Sequence, residues 1–293
     1  MPSKIISAYA LAAKLCKVSL SILCLYPAVP ALAGPIQTPE MNNTLTFTTA
    51  QNVVEAGAPG ASVGDLFYGI LNVTNIRAGG VERWDAQNVV GSTPIDSFSG
   101  YYLAEVKSVY NAFPASTPYA AAITLGPVSG SVIDPFGKFS ASELAAGAMA
   151  KLFVDDGATA TAFEMNGSFL DDIAKATDGT PWGTLGFNDS NNYWNALVFK
   201  NGRILGLGGL DFIANATGYG LLPITDPACP TCAPVDLFFS TVASANGTSV
   251  AWQFIGANDG TLRPVPEPSI LFLAFAGFAG MYWSRKSKCS VVS

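Results

Sequence analysis

The sequence predicts a mainly β protein, a β-sandwich or jelly-roll-like domain carrying a small helical insertion. Stretches 44–49, 66–73, 98–110 and 193–199 are rich in aromatic and branched residues broken by polar positions. Such composition suits strands with one face buried. Two Asn-Gly pairs, Asn201-Gly202 and Asn246-Gly247, separate apolar runs as hairpin turns do. Helix-start signals are confined to residues 140–176. No repeat runs along the chain, so a solenoid has no support.

Taken in order, the chain opens with Lys4, Lys14 and Lys17, a short apolar run over 18–26, and the small residues Ala31-Leu32-Ala33. Basic, apolar and small-residue segments in that order read as a secretory signal over 1–33, removed by signal peptidase to leave Gly34 first. A retained amphipathic helix is the alternative. Leu23 before Cys24 is too bulky for a lipoprotein processing site.

The exported body then spans 34–263, with its helical insertion near 140–176. Ser140 and Glu143 form a capping-box pattern that predicts a helix from about Ala141 to Phe153. Ser168 and Asp171 introduce a second, shorter helix whose acids favour its N-terminal end. In the last hairpin, Leu237 and Phe239 on one strand and Val250, Trp252 and Phe254 on the other fall on alternate positions and can share a face.

Composition narrows the chemistry. The 293 residues include 15 Lys plus Arg, 21 Asp plus Glu and no His, with a mean hydropathy of +0.34. Charged residues make up 12%, against about 25% in a typical soluble domain. Lack of imidazole excludes serine-histidine-acid triads, cysteine-histidine pairs and histidine-ligated zinc. Within 34–263 nine basic residues face twenty acidic ones, a formal charge of −11. That balance excludes a phosphate-backbone footprint, so no nucleic-acid partner is expected.

Beyond the body, Val265-Pro266-Glu267-Pro268-Ser269 leads into an apolar stretch, followed by Arg285, Lys286 and Lys288. A helix over 269–283 reaches about 22 Å, short of the roughly 30 Å hydrocarbon core. Tyr282 and Trp283 stand where an interfacial belt would lie. Pro-Glu-Pro, apolar helix and basic cluster, joined to an export signal, resemble the PEP-CTERM sorting domain of exosortase substrates. The resemblance covers 264–288 and rests on Pro266, Glu267 and Pro268; residues 289–293 add a short tail beyond the family's usual ending. It implies transient membrane association through a transmembrane helix, removal of the tail near the motif by an exosortase, and a cell-surface or secreted product. A plain C-terminal anchor is the alternative.

Of five cysteines, Cys16 and Cys24 fall in the leader and Cys289 in the tail. Cys229 and Cys232 remain, and in an oxidising compartment they read as a small disulfide stiffening a Pro-rich loop. A redox-active pair and half of a soft-metal site are the alternatives, the latter lacking a second cysteine pair or a histidine to complete it.

Three ligand chemistries stay open. Asp155, Asp156, Glu164, Asp171 and Asp172 are the densest acids, as a histidine-free glycoside hydrolase would need. Calcium is the one cofactor with candidates, at Asp155 and Asp156 or at Asn188, Asp189 and Asn191, although both runs also read as turns and neither has EF-hand spacing. Among the aromatic residues, Trp182, Tyr193 and Trp194 lie near turn signals that would place them at a rim for glycan binding. Packing inside a sheet protein is the competing reading. The sequence as a whole predicts a non-enzymatic, exported surface or extracellular-matrix protein with a structural or adhesive role. Exopolysaccharide or other matrix components are its expected partners, and the family resemblance adds an association with biofilm or floc. A carbohydrate-binding module is the alternative.

Overall fold

The computed structural model describes residues 42–55, 61–85, 97–130, 132–155, 168–217, 219–225, 233–246 and 251–266. Its elements are β1 (Asn43–Val54), β2 (Leu66–Ala78), β3 (Val81–Asp85), β4 (Ser97–Tyr110), β5 (Tyr119–Gly126), α1 (Ala141–Ala145), β6 (Ala148–Asp155) and α2 (Phe169–Lys175). There follow β7 (Thr180–Gly186), β8 (Tyr193–Phe199), β9 (Arg203–Asn215), β10 (Tyr219–Leu221), β11 (Leu237–Ala245), β12 (Phe254–Leu262) and β13 (Pro264–Pro266).

Stretches 44–49, 66–73, 98–110 and 193–199 all fall in strands, but the strands do not form two facing sheets. Neighbours run β2-β1-β12-β11-β9-β7-β6-β4, all antiparallel, and β4 returns to β2 through pairs such as Ile70↔Tyr101. That one pairing closes an eight-stranded barrel and corrects the sandwich or jelly-roll expectation. Closure needs long tilted strands; β1, β2, β4 and β9 have 12 to 14 residues each. Outside the ring, β3 extends β2 at the periphery, and β10 pairs only with β13.

Between β4 and β9 the wall forks. The first half of β4 pairs with β6 and its second half with β5. Correspondingly, the first half of β9 pairs with β8 and its end with β7, while β5 pairs with β8 and β6 with β7. Two strand pairs, one above the other, thus fill the same sector of the barrel.

Alternation gives each wall two apolar faces. Inward residues such as Leu45, Phe67, Tyr102, Leu152, Leu185, Ile204 and Phe239 form the luminal core. Each large apolar side chain buried this way stabilises the fold by about 1.5–3 kcal/mol. Gly208 permits one of these contacts, because a Cβ there would run into the Phe239 ring. On the outside of β1, β2, β4 and β6, residues including Ala50, Tyr68, Ile70, Tyr101 and Leu103 form a second core beneath Val128, Phe139, Ile173 and Trp252. Asp134 organises that cover. It accepts the Tyr101 hydroxyl at 2.9 Å and the amides of Phe136, Lys138 and Phe139 at 3.0, 2.6 and 2.8 Å. Burial, followed by the Asp134 carboxylate, pushes the Tyr101 phenol far above its ordinary range.

The helical insertion is shorter than the sequence suggested. Ser140 and Glu143 do make the reciprocal capping box, yet α1 ends at Ala145. Gly147, at φ +89°, turns the chain, and the expected second half of the helix is strand β6. Met149 and Phe153, four apart, can share a helix face, while Met149, Lys151 and Phe153 alternate as on a strand, and partners β4 and β7 decide between them. In α2 the Ser168 side chain makes no capping bond. The Asn201-Gly202 turn joins β8 to β9, with Gly202 at φ +78°. In the last hairpin Leu237, Phe239 and Phe254 face the lumen, whereas Trp252 precedes β12 and packs in the outer core.

Among the described residues no helix is long and apolar enough to cross a membrane, and no disulfide is present. The expected transmembrane helix and disulfide are therefore not features of the described structure. Residues 269–283, Cys229 and Cys232 lie outside it, as do the signal segment 1–33 and Asp156.

Candidate functional site

The rings expected at a rim are largely inside. Trp182 on β7 is 4% exposed, wedged edge-on between Phe98 and Phe212 at ring distances of 4.9 and 5.7 Å. Trp194 points into the lumen against Tyr102 and Phe239, at 5.9 and 5.1 Å. Tyr193, its neighbour on β8, is half-buried. The structure does not bring Trp182 and Trp194 onto a common surface.

Trp194 instead helps line a luminal cavity of about 80 Å³, walled also by Phe47, Tyr102, Ile204 and Phe239. Polar groups from Thr49, Gln51, Tyr102 and Thr241 also line it, and the Tyr102 hydroxyl donates to Gln51 Oε1 at 2.6 Å. Burial pushes the Tyr102 phenol far above its usual range, so it is a neutral donor. This volume exceeds what one water needs and is small beside ordinary ligand pockets of about 300–1,000 Å³.

The loop at 188–192 satisfies its own backbone. Asn192 Oδ1 accepts the amides of Asn188 and Asp189 at 2.8 and 3.1 Å, and Asp189 accepts from the Asn191 amide and side chain at 2.7 and 3.0 Å. These are the local bonds of Asx turns. Asp155 closes β6 opposite Ser97. Among the described residues no group of three or more acidic or cysteine side chains is placed to hold a metal. Of the acids considered for glycoside cleavage, Asp172 is fully buried against Trp252 and Asp171 is exposed, while Asp156 and Glu164 lie outside the described residues.

A different surface carries the geometry of a contact site. On the outer wall, where β4, β5, β8 and β9 run side by side, lies an open groove of about 450 Å³. Its floor takes Ser108 and Tyr110 from β4, Ala122 and Thr124 from β5, Asn195 and Leu197 from β8, and Leu205 and Leu207 from β9. Period-two alternation produces this row, because Val109, Ile123 and Ala196, which stand between its members, pack into the luminal core. The hydroxyls of Ser108 and Thr124 are hydrogen-bonded to each other at 2.6 Å.

At one end of the groove, Tyr110 starts a ladder of rings. Tyr110 meets Phe113 at 5.0 Å, Phe113 meets Tyr119 at 5.4 Å, and Tyr119 meets Phe199 at 5.2 Å, all tilted or edge-to-face. Tyr110 is 56% exposed and the other three are half-buried. The loop bearing Phe113 is pinned: Lys200 Nζ donates to the carbonyls of Ala115 and Thr117 at 2.8 and 2.7 Å, and the Lys200 amide donates to Pro118 O at 2.9 Å. Sequence reasoning missed this ladder because its members come from a loop and three different strands. The available signal was the spacing of Tyr110, Phe113 and Tyr119 around Pro114 and Pro118.

The other end of the body holds the start of the C-terminal signal. Pro264–Pro266 form β13, antiparallel to β10, with Tyr219↔Pro266 and Leu221↔Pro264 in register. Leu222 N donates to Arg263 O at 2.9 Å. Only Arg263 separates β12 from β13. Residues 264–286 match the model of the PEP-CTERM protein-sorting motif. The chain carries a PEP-CTERM sorting motif. This motif is consistent with an exported, surface-associated protein handled by the exosortase sorting system, as the Pro266-Glu267-Pro268 resemblance implied. Glu267 and Pro268 lie outside the described residues. No curated protein and no solved structure matches the chain.

Proposed function

We propose that the barrel is the passenger of the PEP-CTERM signal and serves at the cell surface in a structural or adhesive role, through binding rather than catalysis, with matrix components as its partners. The observation that supports this reading is the continuity of address and body. Pro266 begins the Pro-Glu-Pro triad and is also paired with β10 of the folded unit. A closed barrel suits exposure outside the cell, because closure leaves no long unpaired strand edge among its wall strands to recruit other chains.

The test uses the full chain in its host. Surface labelling of intact cells should mark it, and loss of residues 264–286 should remove it from the labelled fraction. Deleting the protein should reduce cell-to-cell aggregation or attachment, and the complete chain should restore it. Aggregation and attachment unchanged by deletion would overturn the adhesive role.

A further inference from the structure

We infer that the outer-wall groove over β4, β5, β8 and β9, with the ring ladder at its end, is a binding site for a neutral glycan chain. This deepens the adhesive reading and rests on it for its biological setting, but its own support is the chemistry of the groove.

No charged side chain lines the groove, so nothing in it would balance a phosphate, sulfate or carboxylate ligand. The Lys200 ammonium beside the ladder is turned to loop carbonyls, and that of Lys107 to Glu105 and Ser129. With a formal charge of −11 over 34–263, the body also repels polyanions. With no carboxylate in the lining to hold a cation either, these charges favour a neutral partner.

Backbone pairing excludes a peptide that would add as a further strand. Such peptides join a sheet through an unpaired edge, and here β5 is held by β4 and β8 while β8 is held by β5 and β9. Only side chains are offered to the ligand. A purely aliphatic occupant would bury the Asn195 amide, and the bonding capacity that Ser108 and Thr124 leave unused in bonding each other, without giving them partners, which is unfavourable. A sugar chain answers both demands. Its hydroxyls can exchange hydrogen bonds with that polar row, and its C–H faces can lie on the exposed ring of Tyr110 and against Leu197 and Leu207. An open groove admits the middle of a polymer, where an enclosed pocket would accept only an end. The ladder behind Tyr110, anchored through Lys200, holds that ring in place before the ligand arrives, which limits the ordering cost of binding.

The exported protein, purified whole, is run through native gels containing dextran, hydroxyethylcellulose, galactomannan or xylan, with the polyanion alginate as a comparator. The expected result is retardation by at least one neutral polymer and none by alginate. Tyr110→Ala and Asn195→Ala should each weaken the interaction about tenfold. Both side chains face solvent, and unchanged melting curves confirm that the variants fold. Leu197→Trp, which fills the groove without removing a polar group, should abolish retardation. Failure of all four neutral polymers to retard the protein, retardation by alginate alone, or retardation indifferent to these substitutions would overturn the site. Failure of the adhesive reading is separable: groove-dependent retardation together with normal aggregation in a deletion strain leaves the glycan site standing and removes the adhesive role.

Discussion

The indole Nε1 of Trp252 donates a 2.8 Å hydrogen bond to Oδ2 of Asp172, 80 residues away in the chain, and both side chains are buried. This bond fastens α2 to the segment entering β12 and so closes the cover over the outer core. Asp172→Leu should leave the indole N–H without an acceptor and cost about 1–3 kcal/mol. Asp172→Asn keeps an acceptor oxygen and should cost less. Urea unfolding of the two variants decides it; equal losses would show that the carboxylate charge, absent from both variants, and not an acceptor for the indole, matters at this position.

Glu105 ties β4 to the strand exit after β5. Burial pushes its carboxyl upward, but the Ser129 hydroxyl and amide and the Lys107 ammonium outweigh that and hold it below the ordinary range. A lowered folded value means the stabilisation is present above the ordinary carboxylate range and lost as pH falls through the folded value. Glu105→Gln should therefore lose on the order of 1 kcal/mol at neutral pH. The gap to the parent protein should shrink in acid, as thermal melts across pH would record.

Asp236 has the opposite sign. Burial raises its carboxyl, the neighbouring Asp211 and Asp189 add to the rise, and the Phe212 amide opposes it only in part. A raised folded value gives stability that is present at low pH and lost as pH climbs through it. Asp236→Asn keeps an oxygen for the Phe212 amide, which now donates to Asp236 Oδ2 at 3.0 Å. The variant should melt higher than the parent at neutral pH, with the advantage fading towards acid. An advantage independent of pH would rule out charge as the cause.

Gly147 marks the switch from α1 to β6. Its φ is +89°, and a Cβ there would collide with the Phe187 carbonyl. An L-residue pays about 1–2 kcal/mol for the left-handed backbone alone, and backbone on the other side has nowhere to move. Gly147→Ala should thus cost more than about 2 kcal/mol, measured by urea unfolding.

These positions also mark how far the sequence could be read. Strand stretches such as 98–110 were legible because apolar and polar residues alternate over a pleated surface, and the capping box at Ser140 and Glu143 was legible because it is local. Barrel closure was not, since the inner face of a sandwich and the lumen of a barrel demand the same alternation and differ only in whether β2 finds β4. Helix length failed at Gly147, where β4 and β7 outcompeted local helix preference for 148–155. Aromatic residues revealed their type but not their side: Trp182 and Tyr110 read alike in one dimension, yet one is 4% and the other 56% exposed. The PEP-CTERM tail was the most legible feature of all, because a sorting enzyme must read it as sequence.

Pairing of that tail with the body predicts an effect on its processing. The β10–β13 ribbon holds Pro266 in register with Tyr219, so an enzyme that requires the motif as a free extended segment must first open the ribbon. The far end of β10 is fixed by a local turn, where Asn215 Nδ2 donates to Tyr219 O at 2.8 Å and the Thr217 hydroxyl donates to Asn215 Oδ1 at 2.6 Å. Leu222→Pro removes the amide that donates to Arg263 O, at a side chain already 40% exposed. Loosening the ribbon there should speed conversion of precursor to processed protein severalfold, read by pulse-chase and immunoblot in the host. Asn215→Ala should act in the same direction from the other end. Conversion rates unchanged in both variants would mean that the enzyme accepts the motif while it is still paired.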